Sequence, residues 1–248
     1  MAALKEQVIA VPSTLDRGSV EQLARAIEAA MQEPLVSAVV LQGSSEAFCK
    51  GLDLDELVET QSESGKFQEQ SVADYCRCLR ALRFADKPAI AVVEGPALGG
   101  GVGLVAASDV VIASHEASFG LPEVLFGLAP AMVLPFLLER VSVRTVRIWA
   151  MTGVARSAGE AQTAGLVDVV VPKLGLESEV NRWLKTLRRG QRQGVKTIKH
   201  LSAIIPALDV AAALELGQQS TLALLRDEGT MSAIRNFKID GVLPWESP

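Results

Sequence analysis

Gly95-Pro96-Ala97-Leu98-Gly99-Gly100-Gly101 and Ser118-Phe119-Gly120-Leu121-Pro122-Glu123 are the two stretches on which the reading of this chain turns. The first follows Pro88–Glu94, a buried apolar run that reads as a strand, and opens into a short helix of small residues reaching Ala107. Ala47–Leu52 has the same setting, after the strand-like Val36–Leu41 and before a short acidic helix, Asp53–Glu59. Each loop places backbone N–H groups at a helix N-terminus, where they lack intrahelical partners and the dipole favours negative charge. Two such donors converging on one oxygen make an oxyanion hole. Two other readings stay open at this point. Gly101-Val102-Gly103-Leu104-Val105-Ala106 fits the loose dinucleotide pattern, with Glu116 as the ribose acid, although its helix is short and lies mid-chain. The same glycines also suit tight helix–sheet packing.

Glu123 stands just after a proline, at an expected helix start, among Leu121, Val124, Leu125 and Phe126. A glutamate there complements a helix dipole. A carboxyl in apolar surroundings also has its proton affinity raised, which suits a general acid or base near neutral pH.

Outward from these stretches the pattern is strand–helix alternation followed by helices. Gln7–Pro12 reads as a strand, and a helix capped by Ser19 runs to about Glu33. Gln61–Gly65 reads as a polar loop, Phe67–Phe84 as a helix, and Asp109–Ser114 and Val167–Val171 as strands. Short helices are expected over Ala131–Arg140, Val143–Met151 and Ala158–Ala164, and Glu177–Phe237 reads as helical, with breaks at Gly190–Gly194 and Pro206. The fold class is α/β, with a core over residues 1–190 and a helical C-terminal region over 191–248.

Composition narrows the function classes. The chain has 248 residues, 49% hydrophobic and only 4% aromatic, with a mean hydropathy of +0.27. The longest uncharged runs, Gly95–Ser108 and Val124–Leu138, are fourteen and fifteen residues and are broken by glycine and proline. A membrane-spanning helix needs about 20 apolar residues, so the apolarity is expected in a core. A net charge of −5 leaves no basic field for nucleic acid. Three cysteines, Cys49, Cys76 and Cys78, without metal-ligand spacing fit a reducing cytoplasm, and no secretory leader is read.

Ala47-Phe48-Cys49-Lys50-Gly51-Leu52-Asp53-Leu54, the glycine triplet and Phe119-Gly120-Leu121-Pro122-Glu123 occur in order and at matching spacing. Across Val36–Pro172 the chain resembles the enoyl-CoA hydratase/isomerase (crotonase) superfamily. The resemblance implies a spiral of ββα units with a helical C-terminal trimerisation region, assembled as a homotrimer or hexamer. It implies an oxyanion hole from the N–H groups of Leu52 and Gly100, with no cofactor beyond the phosphopantetheine of the substrate's carrier, an acyl carrier protein or CoA. Hydratases of this family carry two glutamates. One matches Glu123; the other falls at Gly103, so it is missing here.

Gly103–Asp109, Leu125–Ala131, Val133–Arg140 and the ending Gly241–Glu246 resemble one subgroup, the dehydratases of polyketide β-branching cassettes. That resemblance implies loss of water from 3-hydroxy-3-methylglutaryl-ACP to give 3-methylglutaconyl-ACP. Glu123 removes the C2 proton and protonates the leaving hydroxyl. A Δ3-Δ2 enoyl-thioester isomerase would use the same glutamate; a decarboxylase or a non-catalytic acyl-thioester binder fits less well. The absent side chain of Gly103 is expected to leave room for a methyl branch. Lys50, Tyr75 and Cys76 are expected at the substrate pocket, with Lys50 toward the carrier phosphate or the substrate carboxylate. Asp53 is expected to cap the oxyanion loop. Arg188, Arg189, Arg192, Lys196 and Lys199 form a basic cluster that would meet an acyl carrier protein or be solvated.

Overall fold

The protein is described by a computed structural model covering residues 5–59 and 66–245. The expected Gln61–Gly65 loop and the final Glu246 of the subgroup motif lie outside the described residues.

Five parallel strands form the main sheet: β1 (Lys5–Ala10), β2 (Val36–Gln42), β3 (Ala89–Val93), β5 (Val110–Ser114) and β8 (Val169–Val171), in spatial order β1-β2-β3-β5-β8. β3 and β5 are buried at every position, which is why their sequences run apolar without alternation. The two faces still separate by the period of two. Val39, Leu41, Ala89, Ala91, Val93 and Val111 face the larger core. Ala38, Val40, Ile90, Val92, Val110 and Ile112 face Leu176 and Leu184 of α8 (Leu176–Leu187). The larger core is closed by α1 (Arg17–Gln32), α3 (Lys66–Phe84) and α4 (Gly100–Ala107).

The start of α1 differs from expectation. Asp16, not Ser19, is the cap, its Oδ1 accepting the Ser19 N–H at 2.8 Å. Ser19 instead bonds the Thr14 carbonyl through its hydroxyl. Asp53 does cap α2 (Leu54–Glu59), its Oδ1 accepting from the N–H groups of Asp55 and Glu56.

A second sheet was not expected. β4 (Ala97–Leu98) pairs in parallel with β6 (Ser118–Gly120), which pairs antiparallel with β7 (Arg156–Ser157). These strands have two or three residues each, sit among glycines and prolines, and carry no periodicity. Their pairing joins the glycine loop to the segment that bears Glu123. The strand order lacks the reversal that a doubly wound dinucleotide fold uses for its cofactor. Gly101 is also packed so closely that a β-carbon there would meet the Cys49 carbonyl at 2.2 Å.

After β7 come α7 (Ala158–Ala164), β8 and α8; α5 (Leu134–Arg140) and α6 (Val143–Thr152) precede them. α9 (Arg192–Ile204) is tied to the core by Lys199, whose Nζ donates to Asp109 Oδ2 at 2.6 Å and to the carbonyls of Leu82 and Lys87. Lys199 is therefore not part of an exposed basic cluster: its side chain points inward, and burial pushes its pKa down while Asp109 raises it. α10 (Val210–Arg226) and α11 (Glu228–Asp240) bury none of their residues. No helix among the described residues is long and apolar enough to cross a membrane.

Candidate active site

The segment Cys49–Leu52 runs alongside Pro96–Gly99. Leu98 N–H donates to the Cys49 carbonyl at 2.8 Å, and a β-carbon on Gly51 would stand 3.0 Å from Gly100 N. On its other side, Leu15 donates to Gly51 O and accepts from Asp53 N–H, straddling Leu52. The Leu52 peptide therefore turns away from Leu15, toward the glycine loop. Gly99 precedes α4 with φ +51°, a conformation that favours glycine, and offers no capping side chain. Gly100 is the first residue of the helix, so its N–H has no intrahelical acceptor.

Glu123 enters from the far side. Gly99 N–H donates to the Gly120 carbonyl at 2.9 Å, which fixes the turn Pro122–Phe126 over the glycine loop. A β-carbon on Gly99 would lie 3.1 Å from Glu123 Oε1. Glu123 Oε2 is buried and has no hydrogen-bond partner among the described residues. Burial pushes the Glu123 carboxyl above the ordinary glutamate value, opposed by a smaller backbone hydrogen bond.

Glu123, Gly100, Leu52 and Tyr75 share one cavity of about 340 Å³. Its walls are mostly apolar: Leu15, Val20, Leu57, Val72, and Leu128 through Val133. Asp53 and Glu56 also line it. Their carboxylates are held by backbone N–H groups, Asp53 by its own helix and Glu56 by Arg17 N–H at 2.9 Å. Gln68 and Ser71 contribute polar groups that the sequence reading missed. With Val72 and Tyr75 they repeat at helical spacing along α3, which was the available signal.

Several expectations need correction. Val124, Leu125 and Phe126 do not shield Glu123; they face outward, with Leu125 69% exposed. A tight turn of this kind cannot hold four consecutive side chains on one side, and the dry wall comes from Leu128–Val133 instead. Lys50 has an exposed side chain outside the cavity lining, while its N–H anchors the loop to Ser13 O at 2.7 Å. Cys76 is turned about 100° from Tyr75 on α3 and is outside the lining as well. Burial pushes the Cys49 thiol up to about 11 and Cys78 up to about 12, so neither supplies a thiolate at neutral pH.

Gly103 does not leave an empty space. A β-carbon there would meet Tyr75 Oη at 2.0 Å and Val133 Cγ2 at 3.2 Å. Tyr75 fills that volume, its hydroxyl donating to the Gly100 carbonyl at 2.6 Å.

Residues 10–228 match the profile of the enoyl-CoA hydratase/isomerase family. The chain belongs to this family. It is 32% identical over 215 residues to the bacillaene synthase dehydratase PksH of Bacillus subtilis, covering 85% of this chain and 80% of that protein. It is also 32% identical over 196 residues to the peroxisomal Delta(3,5)-Delta(2,4)-dienoyl-CoA isomerase of Arabidopsis thaliana, covering 74% of this chain and 69% of that one. Among solved structures, Pseudomonas aeruginosa AtuE superposes with a TM-score of 0.85 at 27% identity, covering 98% and 97% of the two chains. The human enoyl Coenzyme A hydratase domain-containing protein 3 gives 0.85 at 24% identity, over 93% and 92%. The protein is thus an enzyme with the crotonase fold, of lyase type, and its likeness to PksH extends to the polyketide dehydratases.

Proposed function

We propose that this protein dehydrates 3-hydroxy-3-methylglutaryl-ACP to 3-methylglutaconyl-ACP. The observation that carries the reading is the carboxylate of Glu123: half-buried, with one oxygen unpartnered among the described residues, in one cavity with Gly100 and without a second acid at position 103. In this mechanism the thioester carbonyl accepts hydrogen bonds from Leu52 and Gly100 N–H. Glu123 takes the C2 proton, and the resulting enolate is held by the two donors. The electron pair then forms the C2=C3 bond as the C3–O bond breaks. The proton on Glu123 passes to the departing hydroxyl, which leaves as water, and the carboxylate is restored. Each donor is worth about 10²–10³ in rate in comparable sites. The likeness to PksH supports the carrier-bound substrate.

The exposed Lys50, two residues before Leu52, is assigned to the carrier's phosphate. In this reading residues 1–190 are the catalytic core and 191–248 the helical region for oligomerisation and pocket closure. α10 and α11 leave Leu214 69% and Ile239 78% exposed, apolar area that a homotrimer or hexamer would cover. Free, largely buried thiols fit a cytoplasmic enzyme.

Intact-mass measurement after incubation with 3-hydroxy-3-methylglutaryl-ACP tests the reaction; loss of one water is expected. The likeness to the Arabidopsis isomerase favours a second reading, in which Glu123 moves a proton between carbons. An unchanged mass with a shifted double bond on an enoyl substrate would support it.

A further inference from the structure

We propose that Tyr75 is a second catalytic group, receiving the substrate's leaving hydroxyl within the cavity it shares with Glu123. The inference rests on the dehydratase reading above.

The geometry is specific. Tyr75 comes from α3, Gly103 from α4, and the tyrosine oxygen stands 2.0 Å from where a Gly103 β-carbon would be. Any side chain at 103 would start inside that oxygen, so the Tyr75 hydroxyl and a side chain at 103 exclude one another. Tyr75 lines the same cavity as Glu123 and Gly100. Its proton is committed to the Gly100 carbonyl at 2.6 Å. A phenolic oxygen that donates one hydrogen bond keeps acceptor capacity. Burial drives its ionisation far above the ordinary 10.0, and the charge of Glu123 adds to this, so it stays a neutral hydroxyl.

A neutral acceptor there has a defined use. The C3 hydroxyl of the substrate donates its hydrogen to Tyr75 Oη, which turns its lone pair toward protonated Glu123. When Glu123 returns the C2 proton, the C3–O bond breaks and the departing water keeps both hydrogens; Tyr75 neither gains nor loses one. An acid carried by residue 103 would activate water for addition. A phenol with its proton already engaged cannot, so the pair Tyr75 and Gly103 biases the site toward elimination.

The test separates the leaving group from enolate formation. Tyr75→Phe keeps the ring and removes the oxygen. Two rates are measured: dehydration of 3-hydroxy-3-methylglutaryl-ACP, and deuterium exchange at C2 of 3-methylglutaryl-ACP, which has no hydroxyl to lose. Dehydration kcat is expected to fall about 10–100-fold with KM little changed, the size of one lost hydrogen bond to a charge-developing group. Exchange is expected to stay within about twofold, since this readout needs only Glu123 and the two donors. Gly103→Ala, which displaces the hydroxyl instead of deleting it, should give the same split if Tyr75→Phe folds poorly. Equal losses in both rates would mean Tyr75 acts only through Gly100, and undiminished dehydration would remove it from the chemistry; either result overturns the proposal. Wild-type enzyme that exchanges C2 protons but releases no water overturns the dehydratase reading, and this one with it.

Discussion

Glu123 Oε1 stands 3.1 Å from the point where Gly99 would carry a β-carbon, so the proposed catalytic carboxylate packs directly on the residue preceding Gly100. A methyl at Gly99 would press on the carboxylate and also occupy a backbone conformation, φ +51°, that costs an L residue about 1–2 kcal/mol. Gly99→Ala should lower kcat at least tenfold while lowering the melting temperature only a few degrees. Steady-state kinetics and thermal denaturation on the same preparation check both parts.

The burial of Glu123 has two pH consequences. Its folded-state proton affinity is raised above the ordinary 4.5, so the acidic limb of the kcat/KM profile should lie above that value. For stability the sign is set by the same shift. The folded state holds this proton more tightly than the unfolded chain does. That contribution is fully present below the ordinary value and is lost as pH rises through the folded one. Glu123→Gln, which stays neutral, should therefore melt at or above the wild-type temperature at pH 7, and the difference should vanish toward pH 4.

Restoring the missing acid should fail. Gly103→Glu places its β-carbon against Tyr75 Oη, and even Tyr75→Phe leaves the ring carbon Cζ 3.2 Å away. Overpacking of this kind costs about 1–3 kcal/mol. The single variant should be destabilised and should gain no hydratase activity on an unbranched enoyl thioester; a folded, active hydratase would show that position 103 is roomier than the structure has it.

Lys199 joins the C-terminal helices to the sheet through Asp109, whose Oδ2 also accepts the Ala89 N–H at 2.7 Å. Removing one member of a buried pair leaves the other charge uncompensated, typically about 3–5 kcal/mol, less here because Asp109 is a quarter exposed. Lys199→Met should loosen α9 first, visible as faster amide exchange over residues 192–204 before global unfolding.

The alternation of strands and helices was legible because its signals are local: apolar runs for β2, β3 and β5, and the apolar stripe of α1 at Leu23, Ile27 and Met31. That Glu123, Leu52 and Gly100 would meet in one cavity was legible through motif spacing. What was hidden depends on distant pairings. The strands β4, β6 and β7 exist only because Ala97, Phe119 and Arg156 meet, and none has enough length to announce itself. Asp16 and Ser19 are both good caps three residues apart, and only the backbone conformation selects Asp16. The inward turn of Lys199 needs Asp109, ninety positions earlier. The filling of Gly103 by Tyr75 joins two helices, so the glycine alone read as empty space.

In the proposed elimination from a 3-hydroxy thioester, Glu123 alone moves the proton. The most direct measurement is the single-turnover dehydration rate of 3-hydroxy-3-methylglutaryl-ACP by wild-type enzyme and by Glu123→Gln, followed by intact mass. Loss of one water by the wild type is expected, with a rate about 10²–10⁴-fold lower in the variant and its fold intact by circular dichroism. A variant that retains half or more of the wild-type rate would contradict it.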